Sequence, residues 1–127
     1  MKKFKMKDNK NILLNIDGNI VIESDNDILI GKCKIIEYDN INNIKMTFDF
    51  NKNVAHYYKY HLKNGNDSIP YIYRGWCLKN DNWREHSWVL LEHDNYNEII
   101  ETIDIKDKYF GYPLDNEEIN KFYFDIF

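Results

Sequence analysis

The segment from Trp83 to Gly111 constrains the fold most, because it contains two apolar stretches separated by a short polar one. Residues 87–91 and 98–102 have the length and composition of β-strands, and residues 93–97 between them have the composition of a turn. The two strands are therefore predicted to pair antiparallel as a hairpin.

This hairpin brings a histidine close to a carboxylate. His86 is expected opposite Glu101 or within about two positions of it. A carboxylate in that place orients the imidazole and stabilises its charged form, which is the role of the third member of a catalytic triad. His86 and Glu101 are thus predicted as two members of a Cys-His-Glu triad. The alternative is an ordinary surface pair, since most such pairs are not catalytic.

The whole chain is predicted to form one α+β domain. Its 127 residues are 43% hydrophobic, which suffices for a single compact core. We predict three parts: a β-rich N-terminal segment over residues 1–47, a core over 48–114, and a C-terminal helix over 115–127. The core is expected to be an antiparallel sheet with one principal helix.

Local patterns predict the strands of this domain. Asp17-Gly18 is a strong turn signal, which indicates a hairpin between residues 12–16 and 20–22. Residues 28–38 and 44–48 are predicted as two further strands. The last predicted strand before the hairpin spans residues 71–78 and ends in a turn over residues 79–82.

Two segments have the spacing of amphipathic helices. The principal helix spans about residues 51–62, with Asp49 or Asn51 as its N-cap. The short one begins at a capping-box pattern, Asp115-x-x-Glu118. The residues expected to face the core are Val54, Tyr57, Tyr58 and Leu62 in the first helix and Ile119, Phe122, Tyr123 and Ile126 in the second.

Composition and charge exclude several classes of function. No run of about 18 apolar residues and no signal-peptide pattern is present, so we expect a cytoplasmic protein without a membrane partner. Two cysteines and four scattered histidines do not provide the ligand spacing of a zinc site, so we expect no metal and no cofactor. Residues 81–127 carry 12 acidic and four basic side chains, which argues against nucleic-acid binding.

The order of motifs resembles small bacterial, phage and viral proteins of the papain-like and transglutaminase-like cysteine hydrolase superfamily. The resemblance covers about residues 48–114 and lies in a helix followed by Gly-aromatic-x-Leu, Trp-Arg-x-His-Ser-Trp, Glu-Thr and Tyr-Phe-Gly. The first 45 residues have no counterpart. Eighteen asparagines and a single alanine are typical of an AT-rich genome, such as that of a virus or a low-GC bacterium.

The resemblance implies a nucleophilic cysteine at the start of the principal helix. A thiol there faces unpaired N–H groups and the positive end of the helix macrodipole, which lower its pKa. Asn53-Val54-Ala55 matches the second half of the family's Cys-x-x-Asn-Ala/Val motif, but Phe50 occupies the cysteine position. We therefore expect a pseudoenzyme, such as a viral or phage effector, that binds a protein or peptide-like partner or a ligand in the former active-site cleft.

The alternative function is an active thiol hydrolase or acyltransferase that acts on an amide or peptide substrate. Its nucleophile would be Cys33, or else Cys77, with His86 as general base and acid and Glu101 orienting the imidazole. Both cysteines lie in strand-like segments, where a cysteine is usually a small buried hydrophobic residue. A third possibility is that the motif match is accidental and the function unrelated.

Several residues around the histidine are predicted to form the binding site. Trp83 and Arg84, expected in a turn just before His86, are the predicted exposed contacts, because Trp and Arg are enriched in interface hot spots. Core packing is the alternative role for the other aromatic side chains. The predicted binding residues are Asn53, Trp76, Trp83, Arg84, Trp88 and Tyr109.

Overall fold

The described part of the chain contains two β-sheets and two helices, which confirms the α+β class. The computed structural model describes residues 2–5, 12–16, 19–24, 32–65 and 67–126. The strands are β1 (Lys2–Lys5), β2 (Ile12–Ile16), β3 (Asn19–Ser24), β4 (Lys34–Ile35), β5 (Asn40–Asn43), β6 (Ile69–Lys79), β7 (Asn82–Glu92), β8 (Asn97–Glu101) and β9 (Lys108–Pro113). The helices are α1 (Phe50–Asn64) and α2 (Asn116–Ile126). Neither is long and apolar enough to span a lipid bilayer.

The larger sheet is mixed. Its strand order is β4-β9-β6-β7-β8-β5, and β5 runs parallel to β8 while the other pairs are antiparallel. The prediction of a wholly antiparallel sheet is therefore wrong at this edge. A parallel pair needs a long crossover connection, and α1 together with the β6–β7 hairpin supplies it here.

The smaller sheet has the order β1-β2-β3 with antiparallel pairing. The pairing of β2 with β3 confirms the hairpin predicted for this region, whose turn residues Asp17 and Gly18 lie outside the described residues.

Two predicted strands differ from the structure. Residues 28–31 of the strand predicted over 28–38 lie outside the described residues, and only Lys34–Ile35 of the remainder forms a strand. The strand predicted over 44–48 lies earlier, at Asn40–Asn43. Ile44 and Met46 still donate backbone hydrogen bonds to Glu101 and Thr102, at 2.8 and 3.0 Å. The β5–β8 pairing ends at Asn43 and Glu101, because β8 ends at Glu101.

Strands β6 and β7 form a long hairpin in which Gly75 pairs with His86. Its turn consists of Asn80 and Asp81, with φ of 51° and 63°. Asn and Asp tolerate this left-handed conformation, which two-residue hairpin turns require. The tight turn places Trp83 and Arg84 within β7, so their prediction as turn residues is wrong.

Helix α1 is three residues longer than predicted and begins at Phe50. The Asp49 carboxylate accepts a hydrogen bond from the backbone N–H of Lys52 at 3.0 Å, which confirms the first of the two predicted N-caps. Leu62 is 60% exposed, and its prediction as a core residue is wrong. At 3.6 residues per turn, position 61 lies about 20° from Val54 around the helix and position 62 about 80°. His61 therefore takes the inward position.

Helix α2 begins with the predicted capping box. The Glu118 N–H donates to the Asp115 carboxylate at 2.8 Å, and the Asp115 N–H donates to the Glu118 carboxylate at 3.1 Å. Phe122 packs into the core, as predicted. The side chain of Ile126 lies outside the described part of the structure.

The larger sheet carries apolar clusters on both faces. One contains the α1 residues Val54 and Ala55, packed with sheet residues such as Ile72 and Phe110. The other comprises Ile36, Tyr73, Cys77, Trp88, Leu90, Ile99 and Tyr109. Because alternate residues of a strand share a face, His86 lies on the same face as Trp88. The histidine is thus anchored in the second cluster.

Candidate functional site

His86 and Glu101 lie in direct contact. The His86 Nε2 atom is 2.9 Å from Oε1 and 3.1 Å from Oε2 of Glu101. The two side chains are 5% and 0% exposed. In the β7–β8 register Val89 pairs with Ile100, so Glu101 lies diagonally across from His86, two positions along the same face. The hairpin arithmetic of the sequence therefore leads to the observed contact.

The Glu101 carboxylate accepts two further hydrogen bonds. The Tyr109 hydroxyl donates at 2.8 Å and the backbone N–H of Ile103 at 3.0 Å. Burial acts to raise the pKa of Glu101, but the hydrogen bond and charge of His86, together with the Ile103 and Tyr109 donors, hold that pKa below its ordinary value. Glu101 is therefore ionised at neutral pH. Because an ionised carboxylate only accepts hydrogen bonds, the His86 Nε2 atom carries a hydrogen.

The imidazole of His86 lies against two aromatic rings. The Trp88 ring is stacked at a centroid distance of 6.2 Å and an interplanar angle of 21°. The Phe50 ring, from the first residue of α1, lies 5.1 Å away at 56°. The position where the resemblance places a nucleophilic cysteine is therefore in contact with the imidazole, and a phenyl ring fills it.

Gly111 makes room for Trp88. Gly75 and Gly111 face each other across the β6–β9 pairing. A Cβ atom on Gly111 would lie 2.6 Å from Cη2 of Trp88 and 2.4 Å from the carbonyl oxygen of Arg74. Both distances are too short for any side chain, so this glycine lets the indole lie close to the sheet. The same indole supports the imidazole of His86.

Polar side chains fix the start of α1 against β7. The Ser87 hydroxyl donates to the Asn51 side-chain oxygen at 2.7 Å. The Asn53 amide accepts from the backbone N–H of Phe48 at 3.0 Å and donates to its carbonyl at 2.7 Å. Asn53, predicted as a binding residue, thus braces the chain just before the helix. Together these bonds set the position of Phe50.

A cleft of about 330 Å³ opens beside His86. It is lined by Phe50, Cys77, Lys79, Asn80, Asn82, Arg84, Glu85, His86, Ile103, Asp104 and Lys106. The Asp104 carboxylate pairs with the ammonium groups of both Lys79 and Lys106. Their hydrogen bonds and charges lower the pKa of Asp104 to about 2. The cleft therefore combines an apolar wall with fixed charges.

The two cysteines differ in their relation to this cleft. Cys33 is buried just before β4, and two strands lie between β4 and β7, a separation of about 14 Å at ordinary strand spacing. The structure does not bring it to His86, and burial raises the pKa of its thiol to about 12. Cys77 lines the cleft but is 2% exposed, and burial raises its pKa as well. Both thiols are protonated at neutral pH.

The predicted binding residues separate into two groups. Trp76, Trp88 and Tyr109 are buried in the core, and Trp83 is half-buried, with its ring 6.4 Å from that of Phe110. Arg84 is exposed on the cleft wall. Lys79, Asp104 and Lys106 also line the cleft and were not predicted from the sequence. Their only signal in the sequence is a charged cluster just after the Glu-Thr tract, with Lys79 two positions beyond Cys77 on the same face.

Within the residues that the structure describes, no group of three or more His, Cys, Asp or Glu side chains is arranged to hold a metal ion. The chain was also compared with known proteins. A scan against protein-family models, a search of curated proteins and a search of solved structures each found no match.

Proposed function

We propose that this chain is a papain-like or transglutaminase-like protein that has lost its nucleophile and binds a protein or peptide-like ligand in the former active-site cleft. The observation that carries the proposal is the contact between Phe50 and His86, whose ring centroids are 5.1 Å apart. The phenyl ring lies at the start of a helix beside an oriented imidazole, which is where a thiol hydrolase has its sulfur atom. Phenylalanine has no atom that can attack a carbonyl carbon.

The histidine and the carboxylate that would serve a nucleophile are both present. Glu101 orients the imidazole through Nε2 and is itself fixed by Tyr109 and Ile103. This leaves Nδ1 as the ring nitrogen that would exchange a proton with a thiol, as general base and then as general acid. In the described part of the chain no hydrogen bond reaches Nδ1. The chemistry that remains for His86 is hydrogen bonding to a bound group.

The cleft has a volume suited to binding a small group of a ligand. Its 330 Å³ lies at the lower end of the range of small-ligand pockets and accommodates one or two side chains of a peptide. Phe50 and Ile103 contribute apolar wall, while His86 and Arg84 contribute polar groups. Apolar walls with a few convergent polar groups are typical of binding sites.

One observation favours the second candidate, an active thiol hydrolase or acyltransferase. Cys77 lines the same cleft as His86 and lies next but one to Gly75, the cross-strand partner of His86. Catalysis by Cys77 requires a thiolate that its burial disfavours. The two candidates therefore differ in the reactivity of the native thiols.

The test is to introduce a thiol at position 50. In Phe50→Cys, we expect a cysteine that reacts with iodoacetamide fast near pH 6, because the helix N-terminus and the imidazole stabilise its thiolate. Intact-mass spectrometry from about pH 5 to pH 9 measures the rates. Adding His86→Ala should return the new thiol to ordinary behaviour, with reaction rising only above about pH 8.

Three controls define the outcome. The unaltered chain should show two slow thiols that do not depend on His86, whereas a fast Cys77 would support the active-enzyme alternative. Phe50→Ser removes the same ring without adding a thiol, so it shows whether the vacated space exposes Cys77. Tyr60→Cys, on the exposed side of α1, gives the rate of an ordinary helix thiol. A Phe50→Cys thiol that titrates like the Tyr60→Cys thiol would overturn the proposal.

A further inference from the structure

We infer that the cleft binds a carboxylate group of its ligand, received by the guanidinium of Arg84 and by the Nδ1 side of His86. This inference rests on the proposed binding function and specifies the chemistry of the ligand. It depends on three features of the cleft: an arginine that has no ion pair with any described residue, a ring nitrogen of His86 to which no described residue is hydrogen-bonded, and a positive net charge among the lining side chains.

Arg84 is the first feature. It lies two residues before His86 in β7, so the two side chains share a face of the sheet and line the same cleft. Across the residues that the structure describes, its guanidinium has neither an ion pair nor a hydrogen bond. The neighbouring Glu85 also lines the cleft but lies on the opposite face of the strand and forms no ion pair with Arg84. A free guanidinium offers a planar fork of donors, and that geometry matches a carboxylate.

The second feature is the Nδ1 atom of His86. The side chain is 95% buried yet lines the cleft, and only Nε2 is hydrogen-bonded within the described part of the molecule. Because the ionised Glu101 fixes the hydrogen on Nε2, protonation of the ring places the second hydrogen on Nδ1. A carboxylate oxygen that enters the cleft can accept that hydrogen. Nδ1 is not one of the fully enclosed polar atoms that lack a partner, so it is open to a group that enters the cleft.

The third feature is charge. The charged side chains that line the cleft are three cations, Lys79, Arg84 and Lys106, and two carboxylates, Glu85 and Asp104, which gives a formal charge of +1. The formal net charge of the chain is −4, so the cleft is a cationic site on an acidic protein. An anionic group is drawn to the cleft and repelled elsewhere. Phe50 and Ile103 provide an apolar surface for the remainder of the ligand.

These features fit a carboxylate attached to an apolar or aromatic body. In a peptide, that group is either a C-terminal carboxylate after an apolar residue or the side chain of an aspartate or glutamate. Both sources present the same two oxygens to Arg84 and His86. The experiment therefore compares a terminal carboxylate, a side-chain carboxylate and a neutral amide.

The probes are N-acetylphenylalanine, its C-terminal amide, and N-acetylglutamate with an amidated C-terminus. Binding is measured by ¹H–¹⁵N chemical-shift titration with up to about 10 mM probe, a concentration at which a site with a Kd of about 1 mM is close to saturation. At least one carboxylate probe should shift the signals of Arg84, His86 and Phe50 and bind about tenfold more tightly than the neutral amide. The stronger of the two acids identifies the source of the carboxylate. Arg84→Gln should weaken that probe by about tenfold or more.

Arg74→Gln is the matched control, because it removes the same charge from the neighbouring strand β6, where the guanidinium lies 6.0 Å from the centre of the Phe122 ring. It should leave binding unchanged. Equal affinity for acid and amide, with the shifts still in the cleft, would overturn the carboxylate inference and leave the binding function standing. Equal weakening by the two arginine variants would also overturn it. If no probe shifts the signals of the cleft residues, both the carboxylate inference and the proposed binding function are overturned.

Discussion

At the scale of single residues, the central feature is the ionised carboxylate of Glu101. It is fully buried, which by itself is unfavourable for a charge, and it persists because three donors surround it. The contacts with Ile103 and Tyr109 fix the carboxylate, and the carboxylate in turn orients the imidazole of His86. Glu101 therefore connects the stability of the fold to the geometry of the site.

We expect this connection to appear in the pH dependence of unfolding. The pKa of Glu101 is lowered in the folded protein, so in acid the unfolded chain binds more protons, and stability rises with pH. The stabilisation from Glu101 is complete above its unfolded pKa of about 4.3 and is lost as pH falls through the folded value. Urea midpoints from about pH 3 to pH 7 should fall less steeply in acid for Glu101→Gln than for the unaltered chain.

Asp104→Asn serves as the comparison, because the pKa of Asp104 is also lowered, to about 2. Asp104 is nearly half-exposed, so screening by solvent reduces its contribution, and its variant should change the acid slope less than Glu101→Gln does. Indistinguishable slopes for the unaltered chain and Glu101→Gln would show that the buried pair is not coupled to folding.

At the scale of elements, the position of α1 decides what occupies the cleft. Its start is set by the Asp49 cap, by the Asn53 bonds to Phe48 and by the bond from Ser87 to Asn51. None of these contacts involves the ring of Phe50. The helix start is thus defined independently of the residue that faces His86.

Loss of the cap should have a measurable cost. Asp49→Ala removes the acceptor for the Lys52 N–H, and we expect it to lower the free energy of unfolding by about 1 kcal/mol. Asp49→Asn keeps a side-chain oxygen in the same place and should stay within a few tenths of a kcal/mol of the unaltered chain. Urea denaturation measures both. Equal losses in the two variants would mean that the Asp49 charge, and not its hydrogen bond, supports the helix.

The elements also show what sequence patterns can and cannot predict. The contact of His86 with Glu101 was predictable because both residues belong to one hairpin, whose register is set by local spacing. The cap at Asp49 and the capping box at Asp115 were also predictable, because each depends on residues only three positions apart in the sequence. The parallel pairing of β5 with β8 was not, because it depends on packing between segments far apart in the chain.

The charged wall of the cleft was also beyond prediction. Lys79 ends β6, whereas Asp104 lies in the loop between β8 and β9, and only the assembled sheet brings them together. The prediction of Leu62 as a core residue was wrong for a different reason. A spacing of eight residues from Val54 does not match the helical period, and His61 takes the inward place. Local chemistry was predictable, and contacts formed by tertiary packing were not.

At the scale of the whole molecule, one six-stranded sheet supports two apolar clusters, and each contains one cysteine. Cys33 belongs to the cluster on the helix side, and Cys77 belongs to the one beneath His86. Both clusters depend on the same central strands β6 and β7. The two thiols therefore report on opposite faces of a single structural unit.

We expect the two thiols to become reactive together. In a urea series near pH 8.5, iodoacetamide should label Cys33 and Cys77 at the same urea midpoint, and that midpoint should match the loss of helical circular dichroism. Peptide mass spectrometry resolves the two sites. Labelling of Cys77 at clearly lower urea than Cys33 would show that the cleft face opens separately and that the sheet does not unfold as one unit.

The residue that contacts His86, Phe50, is one base change away from cysteine in the genetic code. Phenylalanine codons become cysteine codons through a single base change at the middle position. His86, Glu101 and Tyr109 are positioned by strand register and core packing that such a change leaves in place. Under the proposed function, a single base change would therefore restore a thiol beside an imidazole that is already oriented.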